Sequence, residues 1–148
     1  PTSRDKAQRW RFTTTDPGEG WQAPDFDDSA WPEGEGGFGT AGTPGAVLRT
    51  EWKTPDIWIR RTIDLPNEPL EQPALEIHHD EDAAVYVNGG LMTRVSGFTR
   101  DYVTIPLAPK AARALKSGQN VLAVHCRQTG GGQYIDVGLV DLVEKPIP

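Results

Sequence analysis

Apolar and polar residues alternate with a period of two along several short stretches of the chain, the spacing of strands that bury one face. The clearest is residues 57–65, where Ile57, Ile59, Ile63 and Leu65 alternate with Trp58, Arg60, Thr62 and Asp64. Arg61 falls on the apolar face of this run and must be paired or reach a sheet edge, and Pro66 ends it. Residues 75–79 and 83–87 form two further runs around an acidic turn, Asp80-Glu81-Asp82. Asn88-Gly89-Gly90 then sends the chain back, since Asn-Gly tolerates the positive φ of a tight hairpin turn. The pattern predicts a meander through residues 75–95 onto which later strands pack. Residues 10–14, 91–95, 102–107 and 134–143 also read as strands. Residues 121–127 are apolar on both faces, the mark of a central strand. Only residues 109–116 read as helix: proline suits a first turn, Ala111, Ala112 and Leu115 make an apolar stripe, and Gly118 stops it.

Two segments lack this periodicity. Residues 21–31 are polar but carry Trp21, Phe26 and Trp31, which suits a loop or single helical turn whose aromatics plug one end of a core. Residues 33–56 hold six glycines (Gly34, Gly36, Gly37, Gly39, Gly42, Gly45) and read as a long loop anchored by Phe38 and Trp52. Such a loop is functional or caps a sheet edge. Eight or so strands, one short helix and no βαβ rhythm predict an all-β fold, an antiparallel β-sandwich. The 148 residues suit one domain spanning 1–148. An opening Pro1 and a closing Pro146-Ile147-Pro148 suggest a processed or excised piece of a longer protein.

Composition narrows the function classes. Sixteen glycines and 13 prolines make the chain turn-rich, yet its apolar runs are too clear for disorder. The net charge of −6, with no Lys/Arg cluster, argues against nucleic acid. No apolar run approaches the ~20 residues of a membrane span, and no signal-peptide pattern is present. Cys126 is the lone cysteine, so no internal disulfide forms. Inside an apolar run it reads as a small buried hydrophobe, with His125 on the opposite strand face.

Candidate chemistry is sparse. Asp80, Glu81 and Asp82 are the densest carboxylates, but a glycosidase pair needs about 5–9.5 Å between groups from different elements. Turn residues accepting backbone N–H bonds is their ordinary role. His78, His79 and His125 raise the question of a metal or general base, with His79 inward and His78 outward by parity. No H-E-x-x-H or cysteine set accompanies them, so zinc is disfavoured. No G-x-S-x-G elbow is present, and Gly130-Gly131-Gly132 precedes no helix. Aromatics offer more, because sugar C–H faces stack on Trp and Tyr while polar groups read hydroxyls. Trp10, Trp21 and Trp31 read as core plugs. Trp52 in the long loop and Trp58 on a polar strand face are the candidates for exposure, against burial as the ordinary state. Arg127, Gln128, Gln133 and Tyr134 around the glycine turn are placed to meet His79, Asp80 and Asp82 at one end of the sandwich, a candidate ligand site.

Several motifs occur together in order: Asp25-Phe26-Asp27-Asp28-Ser29…Trp31, Gly36-Gly37-Phe38-Gly39, Trp58-Ile59-Arg60-Arg61, Asp82…Val85-Tyr86-Val87-Asn88-Gly89 and Leu115…Gly118-Gln119-Asn120-Val121. Across roughly residues 10–142 this resembles the galactose-binding-like jelly roll, notably the sugar-binding domain of family 2 glycoside hydrolases. The motifs also have a structural account as turn and packing signatures. The resemblance implies a non-catalytic carbohydrate-binding module of a secreted bacterial carbohydrate-active protein, extracellular or periplasmic, beside another domain of the same chain. It needs no cofactor, although a structural calcium at Asp80 and Asp82, completed by other oxygens, is implied as an option. The alternative is an accessory domain that packs on a hydrolase catalytic domain and binds no sugar. A stand-alone hydrolase ranks third.

Overall fold

The computed structural model describes residues 1–143; the closing Pro146-Ile147-Pro148 lies outside them. In chain order the elements are β1 (Arg9–Thr13), β2 (Glu33–Glu35), β3 (Phe38–Gly39), β4 (Thr50–Glu51), β5 (Asp56–Leu65), β6 (Pro73–Asp80), β7 (Asp82–Val87), β8 (Gly90–Val95), β9 (Val103–Pro106), α1 (Pro109–Ala112), β10 (Gly118–Arg127) and β11 (Tyr134–Asp141). They build a six-stranded sheet, β2-β1-β5-β10-β7-β8, and a five-stranded sheet, β4-β3-β11-β6-β9. The expected all-β sandwich is present. One pair, β3 with β4, is parallel where every pair was expected to be antiparallel.

β5 and β10 pair antiparallel from Asp56↔Arg127 to Leu65↔Gly118 and form the spine of the larger sheet. Ile57, Ile59, Leu122, Val124 and Cys126 point from it into the core, meeting Leu75, Ile77, Ile135 and Val137 from the smaller sheet. Cys126 is wholly buried, and burial pushes its thiol pKa up. Arg61, caught on the apolar side of β5, reaches the edge and donates from Nη1 to the Pro1 carbonyl at 3.4 Å and from Nη2 to Gln8 Oε1.

The expected meander is divided. β7 and β8 form the Asn-Gly hairpin, with Asn88 at φ 50° and Gly89 at φ 87°. β6 instead lies in the opposite sheet, between β11 and β9. The acidic corner contains no residue with positive φ, so it offers no tight-hairpin geometry and carries the chain from one sheet to the other. Its Asp80–Glu81 peptide is cis.

The helix is shorter than residues 109–116. Ala112 and Arg113 donate to carbonyls four residues back, but Ala114 and Leu115 donate only three back, so the helix tightens into turns after Ala112. Residues 33–56 are more regular than expected: β2, β3 and β4 extend the sheet edges, with Phe38 and Trp52 buried in the core. Gly39 passes so close to β11 that a Cβ there would run into the Gln133 carbonyl.

Candidate functional site

The outer face of the six-stranded sheet is read from its register. Arg94 on β8, Ala84 on β7, His125 on β10 and Trp58 on β5 lie side by side in one row. Asp82, Arg127 and Asp56 form the next row. The His125 and Trp58 rings stack with centroids 4.6 Å apart and planes 5° from parallel. His125 Nε2 lies 2.7 Å from Asp56 Oδ1. An ionised carboxylate only accepts, so Nε2 is the donor.

Much of this face is roofed by residues 20–31, and Arg60 holds the roof in place. Its side chain is 3% exposed. Nε donates to Asp28 Oδ2 at 2.9 Å, Nη1 to the carbonyls of Trp21 at 2.7 Å and Ala23 at 2.9 Å, and Nη2 to that of Phe26 at 3.2 Å. A guanidinium with five donors suits a loop that presents several carbonyls at once. Trp21 then packs edge-on against Tyr86 and His125. The Asp-Phe-Asp-Asp-Ser motif is thus a built cover, and Trp58 beneath it is only 8% exposed.

Where the roof stops, a groove of about 380 Å³ remains, lined by Asp82, Ala83, Ala84, Arg94, Val95, Ser96, His125 and Arg127. That falls in the usual size range of small-ligand sites. Arg94 and Arg127 are exposed, and neither enters an ion pair among the described residues. Asp82 Oδ1 accepts the Gly97 N–H at 2.9 Å.

The other expected site residues distribute differently. Trp52 is a core side chain whose Nε1 donates to Thr54 Oγ1 at 3.0 Å. His79 faces inward as its parity required, and its Nδ1 lies 2.8 Å from the Glu81 carbonyl and 3.1 Å from that of Gly97. Asp80 and Tyr134 are cross-strand partners, so the acidic corner and the glycine turn do meet, but under cover. Tyr134 OH donates to the Val47 carbonyl at 2.9 Å, and Gln133 Nε2 to that of Thr54 at 2.6 Å. Gln128 Nε2 donates to Gly131 O at 2.9 Å. Asp80 is 6% exposed, and its Oδ1 has no hydrogen-bond partner among the described residues. Burial and the neighbouring Glu81 carboxyl push its pKa up to about 6. Of the nine expected residues, only Asp82 and Arg127 line the open groove, with Trp58 supporting its His125 wall. Arg94 and Ala84 were not singled out in the sequence, and His125 was weighed there only as a metal ligand or base.

The outer face of the five-stranded sheet is closed. Ser3 N–H donates to both Asp136 oxygens, at 3.1 and 2.9 Å, Tyr102 OH donates to Asp136 Oδ2, and His78 Nε2 donates to the Pro44 carbonyl at 2.9 Å. Burial pushes Asp136 up to about 6 and His78 down. Among the described residues, no group of three or more His, Cys, Asp and Glu side chains converges as a metal site. Asp80 and Asp82 belong to different sheets, and Asp82 already holds Gly97. Two carboxylates alone fall short of the six to eight oxygens that calcium takes. No helix among the described residues is long and apolar enough to cross a membrane.

No protein-family model matches the chain, and no curated protein matches its sequence. Its fold does recur in solved glycoside hydrolases. A β-glycosidase from Bacteroides vulgatus aligns with a TM-score of 0.61 and 16% identity over 91% of this chain and 20% of that one. A family 2 glycosyl hydrolase from Bacteroides cellulosilyticus DSM 14838 aligns at 0.64 and 16%, over 90% and 20%. A β-glucuronidase from Bacteroides uniformis aligns at 0.61 and 21%, over 90% and 18%. The chain spans about a fifth of the length of these enzymes and shares with that fifth its fold.

Proposed function

We propose that this chain is a non-catalytic accessory domain of a glycoside hydrolase and that it contacts saccharide through the Asp82–Arg94–His125–Arg127 groove. The observation that carries the accessory reading is the fold match, which covers nine-tenths of this chain and only about a fifth of each hydrolase. The groove adds to it: acceptor and donor side chains stand around a small apolar floor, the mix that fixes a polar ligand's orientation. The acidic corner supplies no acid/base pair in this reading, because Asp80 is buried and Asp82 holds a backbone N–H. An extracellular or periplasmic parent, with a further domain beside this one, belongs to the same proposal.

A second reading, a domain that only packs on its neighbour, draws on a different surface. An apolar groove of about 450 Å³ lies between β8 and α1, lined by Leu91, Met92, Ala108, Ala111 and Ala114, with Leu91 48% exposed. A glycan array probed with the folded chain, in calcium and in chelator, separates the two. Saturable binding to one sugar class that survives chelator is expected. No binding to any glycan from a folded sample would hand the case to the packing domain, and chelator-sensitive binding would return the site to Asp80.

A further inference from the structure

The open groove has two features that a neutral sugar does not require. The first is its pair of arginines, neither of which enters an ion pair among the described residues, although Asp82 and Asp56 are the cross-strand neighbours of Arg127. Arg94 stands on β8 opposite Ala84, and Arg127 stands on β10 opposite Asp82. The two positions are separated by two strand spacings, about 10 Å, and offset by two residues, about 7 Å. Two long side chains span that gap easily, and between them β7 presents the Ala84 methyl and the Asp82 carboxylate, with Ser96 and His125 also on the lining. A guanidinium with no partner is a ready site for a planar two-oxygen anion, which it holds by two parallel hydrogen bonds.

The second feature is the His125 ring. One face is taken by Trp58, on the β5 side. The side towards β7 has Ala84 as its row neighbour, and Trp21 packs edge-on against the ring with centroids 6.4 Å apart, so only the part of the ring that Trp21 leaves uncovered opens on the groove. Nε2 is fixed by Asp56, so the ring is held upright as a flat wall, and its side chain is 32% exposed. The groove therefore does have a flat ring to stack on, an imidazole backed by an indole.

We propose that this groove binds an acidic saccharide: Arg94 and Arg127 take the carboxylate of a uronic acid unit, the exposed part of the His125 ring packs on the sugar, and Asp82 accepts a hydroxyl. The proposal rests on the reading above that the groove meets saccharide, and deepens it by naming the charge of the sugar.

The test uses calorimetric titration of the folded chain with trisaccharides of galacturonate, glucuronate and mannuronate, each beside its methyl ester, which removes the charge and adds one methyl group. At least one acid should bind, its ester at least about tenfold more weakly, and the acid's affinity should fall as salt is raised. Arg94→Gln and Arg127→Gln should each weaken the acid by at least about tenfold and leave the ester unchanged. Ala84→Leu, which fills the floor, should abolish both. Equal binding of acid and ester, or array binding confined to neutral glycans, would overturn the anionic ligand while leaving a saccharide-binding domain in place. Binding to no acid, ester or arrayed glycan would overturn both readings. Circular dichroism and thermal melting of each variant confirm that a loss of binding is not a loss of fold.

Discussion

On the outer face of the five-stranded sheet, His78, Tyr102, Tyr134 and Asp136 lie beneath residues 1–4 and 43–49, and most of their polar atoms are bonded to the chain itself. On the outer face of the six-stranded sheet, Trp58, Arg60 and Tyr86 lie beneath residues 20–31, but the roof stops short of Arg94, His125 and Arg127. Both faces use histidine, aspartate and aromatic side chains. What differs is whether the chain supplies the partners. A closed polar face contributes to stability and rigidity, because every buried donor that loses its acceptor is costly. An open one leaves its hydrogen-bonding capacity for something else.

The sharpest way to break this contrast is to remove the roof of the six-stranded sheet. Arg60→Ala should destabilise the chain by about 3–5 kcal/mol, since it leaves Asp28 without its counter-ion and three loop carbonyls without a donor. Urea unfolding at pH 7 measures it, and a loss below about 1 kcal/mol would mean that residues 20–31 are held by packing alone. Asp136→Ala makes the matching cut on the closed face. It strands the Ser3 N–H and the Tyr102 hydroxyl but also removes a buried charge, so the expected loss is smaller, about 1–3 kcal/mol. Release of residues 1–4, read by faster amide exchange there, should accompany it.

The closed face also has a pH signature. Asp80 and Asp136 stay protonated in the folded chain up to about pH 6, against 3.8 for an ordinary aspartate. Their raised pKa values add stability that is complete below about pH 4 and is lost as pH rises through about 6. Asp80→Asn removes a buried charge whose Oδ1 has no partner among the described residues. The variant should gain about 1–2 kcal/mol over the parent at pH 7.5 and almost nothing at pH 4. Unfolding curves at four pH values check this, and an unchanged pH slope would assign the effect to another group.

How much of this was written in the sequence follows the range of the interactions involved. Local rules were readable: the alternation of β5, the Asn88-Gly89 hairpin, the central β10, the buried Cys126 and the edge-seeking Arg61 all stand in the structure. Sheet membership was not, because two strands joined by a polar corner look alike whether they pair with each other or separate. Trp58 shows a second limit. Period two places it on the outer face, but only the Arg60-held loop, from more than 30 positions away, decides that this face is covered. The groove shows a third. Counting back from the Asn88-Gly89 turn pairs Val87 with Gly90 and Tyr86 with Leu91, which would set Thr93 beside Ala84. A bulge between Val85 and Tyr86 shifts the register by one and brings Arg94 there instead. Asp82 and Arg127, grouped from the sequence only as residues beside two turns, stand opposite each other in a β7–β10 register that has no such irregularity.

The smallest expected effect sharpens the contrast most. Arg94→Gln and Arg127→Gln should each change unfolding free energy by no more than about 0.5 kcal/mol, as for exposed strand positions that hold nothing. The same guanidinium group is thus worth several kcal/mol at position 60 and almost nothing at 94 or 127, because only Arg60 has its acceptors inside the chain. A loss above about 1 kcal/mol at either groove arginine would show it to be part of the domain's own scaffold, and the open face would then be a closed one with a thinner roof. Near-zero changes, measured in the same urea series as Arg60→Ala, leave the two arginines with no role in holding the fold.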